Sequence, residues 1–281
     1  MKKILVPCDF SVAARQAYKF AIELASTSKG EIFVVHAMAF PVVYESTFGI
    51  QPYTLDVFEM KKLEDNAKET FERMKKAHPA PSNVPVTFFP VQDYLLHSIR
   101  AFTEEKKIDL IVMGTHGSSG LEEFFIGSNT EKVVRFSAVP VIALRKAPFF
   151  SSIKNIVLPN TLELNQTDLI AHVQSLQKFF DATLHILLVN TPIRFKTDQE
   201  AKEAIHEFAK HYKLKNYTAN FRNDAHEQNG IINFVHEIKA DMLAMATHGR
   251  KGLAHLFVGS LTEAVVNHVD CPIWTYSTHK N

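Results

Sequence analysis

A glycine-rich stretch, Gly114-Thr115-His116-Gly117-Ser118-Ser119-Gly120, is followed closely by Gly127-Ser128-Asn129-Thr130. Glycine lets a backbone approach an anion, and the first N–H groups of a helix have no internal partner. Together they can cradle phosphate. Ser128 either adds a hydroxyl donor or caps the helix. The same residues also suit a plain strand-to-helix turn that needs glycine only for its backbone angles, and the loop alone leaves both readings open. His116, and His248 at the matching place later in the chain, either orients a phosphate or caps the turn. There is no GxxxxGK[ST] stretch, and the missing lysine and magnesium partners argue against fast ATP hydrolysis. Glu122 and Glu123 lie near the loop, but no base with a metal partner is evident. His206 and His211 fall one residue outside HExxH spacing, roughly 140° apart at about 100° per residue, so they cannot share a metal from one helical face. His226, His236, His255 and His268 are the remaining metal candidates, if the fold makes them converge. Cys8, beside Asp9, reads as a buried strand-end thiol, with redox sensitivity as the alternative.

The elements around these residues alternate. Ile4-Leu5-Val6 is a short buried strand ending at Pro7, and Ser11 can cap a helix with an apolar stripe through Ala14, Ala17, Tyr18, Ala21, Ile22 and Ala25. Gly30 ends that helix, and Ile32 to Val35 is the second strand. Residues 40–54 read as an irregular excursion and 56–78 as a long charged helix. Val86 to Phe89 is a third strand, 94–106 a helix, 109–113 the fourth strand and 139–144 the fifth. Strands separated by helices imply a parallel sheet with right-handed crossovers.

The second half repeats this grammar. Ile156-Val157-Leu158-Pro159 echoes Ile4-Leu5-Val6-Pro7. Met245-Ala246-Thr247-His248-Gly249 echoes Met113-Gly114-Thr115-His116-Gly117, and Val258-Gly259-Ser260 echoes Ile126-Gly127-Ser128. Matched segments in one order make a tandem repeat, with the boundary near Arg145 to Ser152. Phe149-Phe150 in that boundary reads as a packing anchor. A length of 281 residues suits two domains, and 46% hydrophobic residues suffice for two cores. No apolar run reaches the roughly 20 residues of a membrane helix, and the N-terminal one is too short for a signal peptide. Two cysteines at opposite ends, with no CxxC spacing, argue against a disulfide framework or a zinc ribbon, which reads as a reducing, cytoplasmic setting. Lys plus Arg at 31 nearly balances Asp plus Glu at 30, so bulk charge points to neither nucleic acid nor an anionic membrane.

Both halves resemble the universal stress protein family. The family pattern of Gly, two residues, Gly, nine residues, Gly, then Ser or Thr is matched by Gly114, Gly117, Gly127 and Ser128, beside a first strand ending Pro7-Cys8-Asp9-Phe10-Ser11. The resemblance implies two tandem doubly wound α/β domains, over 1–146 and 153–281, each a five-stranded parallel sheet in the order 3-2-1-4-5 with helices on both faces. It implies an ATP site at the carboxyl ends of the strands, as is general for such sheets, with or without magnesium. Carried over residue by residue, Pro7 and Asp9 face the nucleoside and Ala37 offers its backbone to adenine. Met113 and Gly114 end the fourth strand, and Gly117, Gly127, Ser128 and Asn129 surround the phosphates.

The second half departs from the pattern, with Ala246 for Gly114 and Thr161 for Asp9, although Gly249, Gly259 and Ser260 remain and Arg250 and Lys251 make its loop more basic. It reads as a degenerate site. The resemblance implies a nucleotide-dependent regulator in stress response. The alternatives are a slow ATPase or phosphotransferase, or a scaffold holding another ligand or a metal in the second half. The fifth strands of the two halves are expected to pair, making an intramolecular pseudo-dimer, with a homodimer as a further option and the protein partner unknown.

Overall fold

The structure is a computed structural model, and it describes residues 1–38, 57–115, 127–247 and 268–277. The expected excursion at 40–54 lies outside these residues. The chain begins with strand β1 (Lys3–Pro7), helix α1 (Val12–Ser28) and strand β2 (Glu31–Ala37). The apolar strands are buried on both faces, as parallel strands between helix layers must be. In α1 the residues on the sheet side are mostly alanine, with Tyr18, Phe20 and Leu24, so the helix can lie close to the strands. Ser11 caps it by accepting from the N–H of Ala14 at 3.1 Å. The left-handed residue that ends the helix is Lys29, at φ 52°, not Gly30. Gly30 is required for another reason: a Cβ there would sit 2.4 Å from the carbonyl oxygen of Lys2.

The first half continues through α2 (Val57–Ala77), β3 (Val86–Val91), α3 (Leu95–Lys106), β4 (Leu110–Gly114), α4 (Ser128–Phe136) and β5 (Val141–Leu144). The second comprises β6 (Asn155–Pro159), α5 (Thr167–Phe180), β7 (Thr183–Asn190), α6 (Asp198–His211), β8 (Tyr217–Asn223), α7 (Glu227–Glu237), β9 (Met242–Thr247) and β10 (Ile273–Ser277). Among the described residues, ten strands form one sheet in the order β3-β2-β1-β4-β5-β10-β9-β6-β7-β8. Each half therefore has its first strand at the centre, its second and third on one side and its fourth and fifth on the other. Pairing is parallel within each half and antiparallel at the seam, where Trp274 lies opposite Ile142.

The two faces of the sheet differ. On the side of α1, α2, α5 and α6 one hydrophobic core runs across the seam, from Ile4 and Val112 through Ile142 and Trp274 to Ile156 and Phe208. On the other side the halves keep separate cores, one under α3 and α4, the other under α7. The linker is fastened as well. Gln16 and Glu23 of α1 accept from the backbone N–H groups of Ala147 and Phe150, at 3.1 and 2.6 Å. The ring of Phe150 packs on Phe179 and Phe180, whereas Phe149 stays exposed. Among the described residues no helix is long and apolar enough to cross a membrane.

Candidate functional site

In a doubly wound sheet, the helices after the central strand and after its fourth-strand neighbour leave on opposite faces, which opens a crevice at the carboxyl ends. Here the crevice lies between β1 and β4 and contains a cavity of about 330 Å³, within the usual range for ligand pockets. Pro7, Asp9, Ala37, Met113, Gly114, Gly127, Ser128 and Asn129 all line it. Gly117 lies outside the described residues, as do His116, Glu122 and Glu123. Cys8, Ala14, His36, Leu95 and Thr130 also line the cavity and were not among the nucleotide contacts that the resemblance implies.

Asp9 is exposed, and its Oδ1 accepts from the N–H of Ser11 at 3.0 Å, in a turn where Phe10 takes φ 61°. The sheet ladder orients Ala37. The N–H of Met38 donates to Val91 on the β3 side, while the carbonyl of Val35 accepts from Cys8 on the β1 side. Strand backbones alternate, so the N–H and C=O of Ala37 point toward β1, beyond the point where β1 has ended. Across the crevice, Gly127 occupies the N-cap of α4 with no side-chain cap. Ser128 is therefore the first helical residue and not the cap. The carbonyl of Thr115 accepts from Gly127 N–H at 2.7 Å, and Thr130 Oγ1 donates to the carbonyl of Gly114 at 2.8 Å. These two bonds hold the α4 N-terminus against the end of β4.

Gly114 has a structural reason of its own. A Cβ there would lie 2.6 Å from the backbone carbon of Ala13, because α1 lies close over β4. In the second half the turn from β6 to α5 spans residues 160–166, against 8–11 in the first. No strand is approached as closely by α5 as β4 is by α1, and the methyl of Ala246 is accommodated.

The matching turn of the second half is filled with polar side chains. Asn160 is buried, its Nδ2 donates to Gln166 Oε1 at 2.8 Å, and its Oδ1 accepts from Gln166 Nε2 at 3.2 Å. That oxygen also accepts from the N–H of Leu162 at 2.6 Å, and the N–H of Gln166 donates to the hydroxyl of Tyr212 at 2.8 Å. Asn160 stands where Cys8 stands in the first half. His248, Gly249, Arg250, Lys251, Gly259 and Ser260 lie outside the described residues.

Burial pushes the Cys8 thiol up to about 12, which makes it a poor nucleophile at neutral pH. Of the histidine candidates, His236 Nε2 meets the carbonyl of His268 at 2.8 Å, and His255 is outside the described residues. Among the described residues no three metal-ligating side chains converge.

The model of the universal stress protein family matches residues 1–145 and again residues 152–277. A universal stress protein of Methanocaldococcus jannaschii is 31% identical over 146 residues, covering 52% of this chain and 82% of that one. One from Synechocystis sp. is 23% identical over 297 aligned positions, covering 98% of this chain and 100% of its own length. The crystal structure of a universal stress protein from Archaeoglobus fulgidus matches 98% of this chain and 96% of that one, with a TM-score of 0.70 at 19% identity. At that identity the likeness speaks for the fold.

Proposed function

The chain belongs to the universal stress protein family, and from that premise we propose that its first half binds ATP and that the whole acts as a nucleotide-dependent regulator in stress response. The observation that carries the reading is one cavity shared by the Asp9 carboxylate, the β1-facing backbone of Ala37 at the end of β2, and the N-terminus of α4. Each matches one part of the nucleotide. The N–H and C=O of Ala37 offer a donor and an acceptor side by side. Adenine presents the complement, a ring nitrogen that accepts and an amine that donates, whereas guanine presents the reverse. Asp9 accepts from ribose hydroxyls. The first turn of α4, at Ser128 and Asn129, directs N–H groups and the positive end of its dipole at phosphate. Asp9 is one carboxylate, so magnesium in this site would be held chiefly by phosphate oxygens and water.

The second half replaces Asp9 by Thr161 and fills its turn with the Asn160–Gln166 pair. We therefore assign one ATP to each chain. Titration calorimetry of the whole chain with ATP, beside a turnover assay, tests this. The expected result is a stoichiometry near one and slow or no turnover. Asp9→Ala should weaken binding at least tenfold, the worth of a charged hydrogen bond of about 1.5–3 kcal/mol. Two equal sites per chain, or an unaltered affinity in the folded Asp9→Ala chain, would overturn the assignment.

A further inference from the structure

We infer that His36 is a further ligand-reading residue of the first half, its Nε2 accepting a hydrogen bond from an N–H or O–H of the nucleoside. The inference rests on the ATP reading above and deepens it. His36 is half-buried in the cavity wall. Its Nδ1 lies 2.7 Å from the carbonyl oxygen of Cys8. A carbonyl only accepts, so Nδ1 carries the hydrogen, and in the neutral ring Nε2 is then an acceptor. Among the described residues the imidazole makes this one hydrogen bond. Its plane is set by the ring of Phe10, 4.7 Å away between centroids, which in turn rests near Phe88. The acceptor is thus oriented before any ligand arrives.

The second half serves as an internal control. Strands β6 and β7 pair Ile156 with Leu184, as β1 and β2 pair Ile4 with Ile32, so Leu188 stands where His36 does. The left-handed residue after the strand is kept, although the turn is longer: Leu162 takes φ 65° where Phe10 takes 61°. There the left-handed residue is held by Asn160, without an imidazole. A left-handed residue at this place therefore does not require a histidine. The imidazole and the Asp9 carboxylate are present together in one half and absent together from the other, as two members of one ligand-binding set would be.

A nucleoside offers two kinds of donor, the 6-amino group of adenine and the ribose hydroxyls. Calorimetry of the full chain with ATP, purine riboside triphosphate, 2′-deoxy-ATP and 3′-deoxy-ATP distinguishes them. His36→Asn keeps a side-chain amide N–H for the Cys8 carbonyl and removes the Nε2 acceptor. It should weaken ATP about three- to tenfold, the range of one neutral hydrogen bond. The affinity gap between ATP and the analogue lacking the bonded donor should shrink in the same variant. His36→Gln, whose amide oxygen reaches the Nε2 position, should keep more of the affinity. Melting curves of both variants separate loss of ligand from loss of fold. Wild-type ATP affinity in His36→Asn, or Asn binding better than Gln, would overturn the role of His36 and leave the ATP site standing. A wild-type chain that binds no ATP would overturn both.

Discussion

At the scale of single residues, Gly114 shows two constraints meeting at one position. In the sequence it opens a glycine-rich loop that suits either a phosphate or a plain turn, but in the fold the absence of a side chain also lets α1 close over β4 at Ala13. Gly114→Val should therefore lower stability by about 1–3 kcal/mol or more, as overpacking does, and lose ATP at the same time. Urea denaturation beside calorimetry checks this, and a variant as stable as the wild type would show that α1 gives way without cost. The thiols give a pH-dependent expectation. Burial raises both Cys8 and Cys271 from 9.0 to about 12. Above pH 9 the unfolded chain releases these protons while the folded chain keeps them. Stability should fall as pH climbs from about 9 toward 12 and be insensitive to these thiols below 9. In the native state at pH 8 the buried Cys8 should react with a thiol reagent far more slowly than in guanidinium; rapid native labelling of Cys8 would contradict its buried placement.

At the scale of elements, α4 is where site and scaffold join. Its N-terminus faces the cavity, its first turn is tied to β4 by Thr130, and its body packs on β10 of the other half. Thr130→Val keeps the shape and removes the hydroxyl, leaving the Gly114 carbonyl without that donor at a cost of about 1–3 kcal/mol. ATP affinity should fall with it, because the helix end loses its register to the strand, while Thr130→Ser should stay near wild type. Denaturation and calorimetry on the two variants check the pair; equal behaviour of Val and Ser would remove the hydroxyl from the argument. The strand ends also carry a repeated clip. Asp109 accepts from the N–H groups of Lys2 and Lys3, and Asp241 from those of Lys154 and Asn155. In each half a carboxylate preceding the fourth strand thus pins the start of the first, away from the cavity end.

At the scale of the whole molecule, antiparallel pairing of β5 with β10 turns the carboxyl ends of the two halves toward opposite edges of the sheet. The β1–β4 cavity of the first half and the matching turn of the second therefore do not face each other. The seam is apolar, and on one face the core crosses it without a break. Trp274, the one tryptophan of the chain, lies fully buried at that seam. Its emission should be blue-shifted in the native state. Because its core is shared by both halves, its red shift in guanidinium should coincide with the loss of helix followed by circular dichroism. Two separated midpoints would show that the halves unfold independently.

What the sequence determined by itself is what depends on neighbours along the chain. Continuous apolar runs marked the strands and apolar stripes at helical spacing the helices, Ser11 announced its cap, and the tandem echo of Pro7 in Pro159 and of Gly127-Ser128 in Gly259-Ser260 exposed the repeat. The residues carried over from the family pattern came from the resemblance; those among the described residues line the cavity, at strand ends and at the start of α4. The tertiary structure decided whatever joins distant positions. It placed Ala13 against Gly114, set the carbonyl of Cys8 on the ring of His36, and closed Asn160 on Gln166 and Tyr212. It also joined β5 to β10, so that two repeats became one sheet. Hydrogen bonds and close packing act over a few ångströms of space, and only the folded chain brings residues so far apart in sequence within that reach.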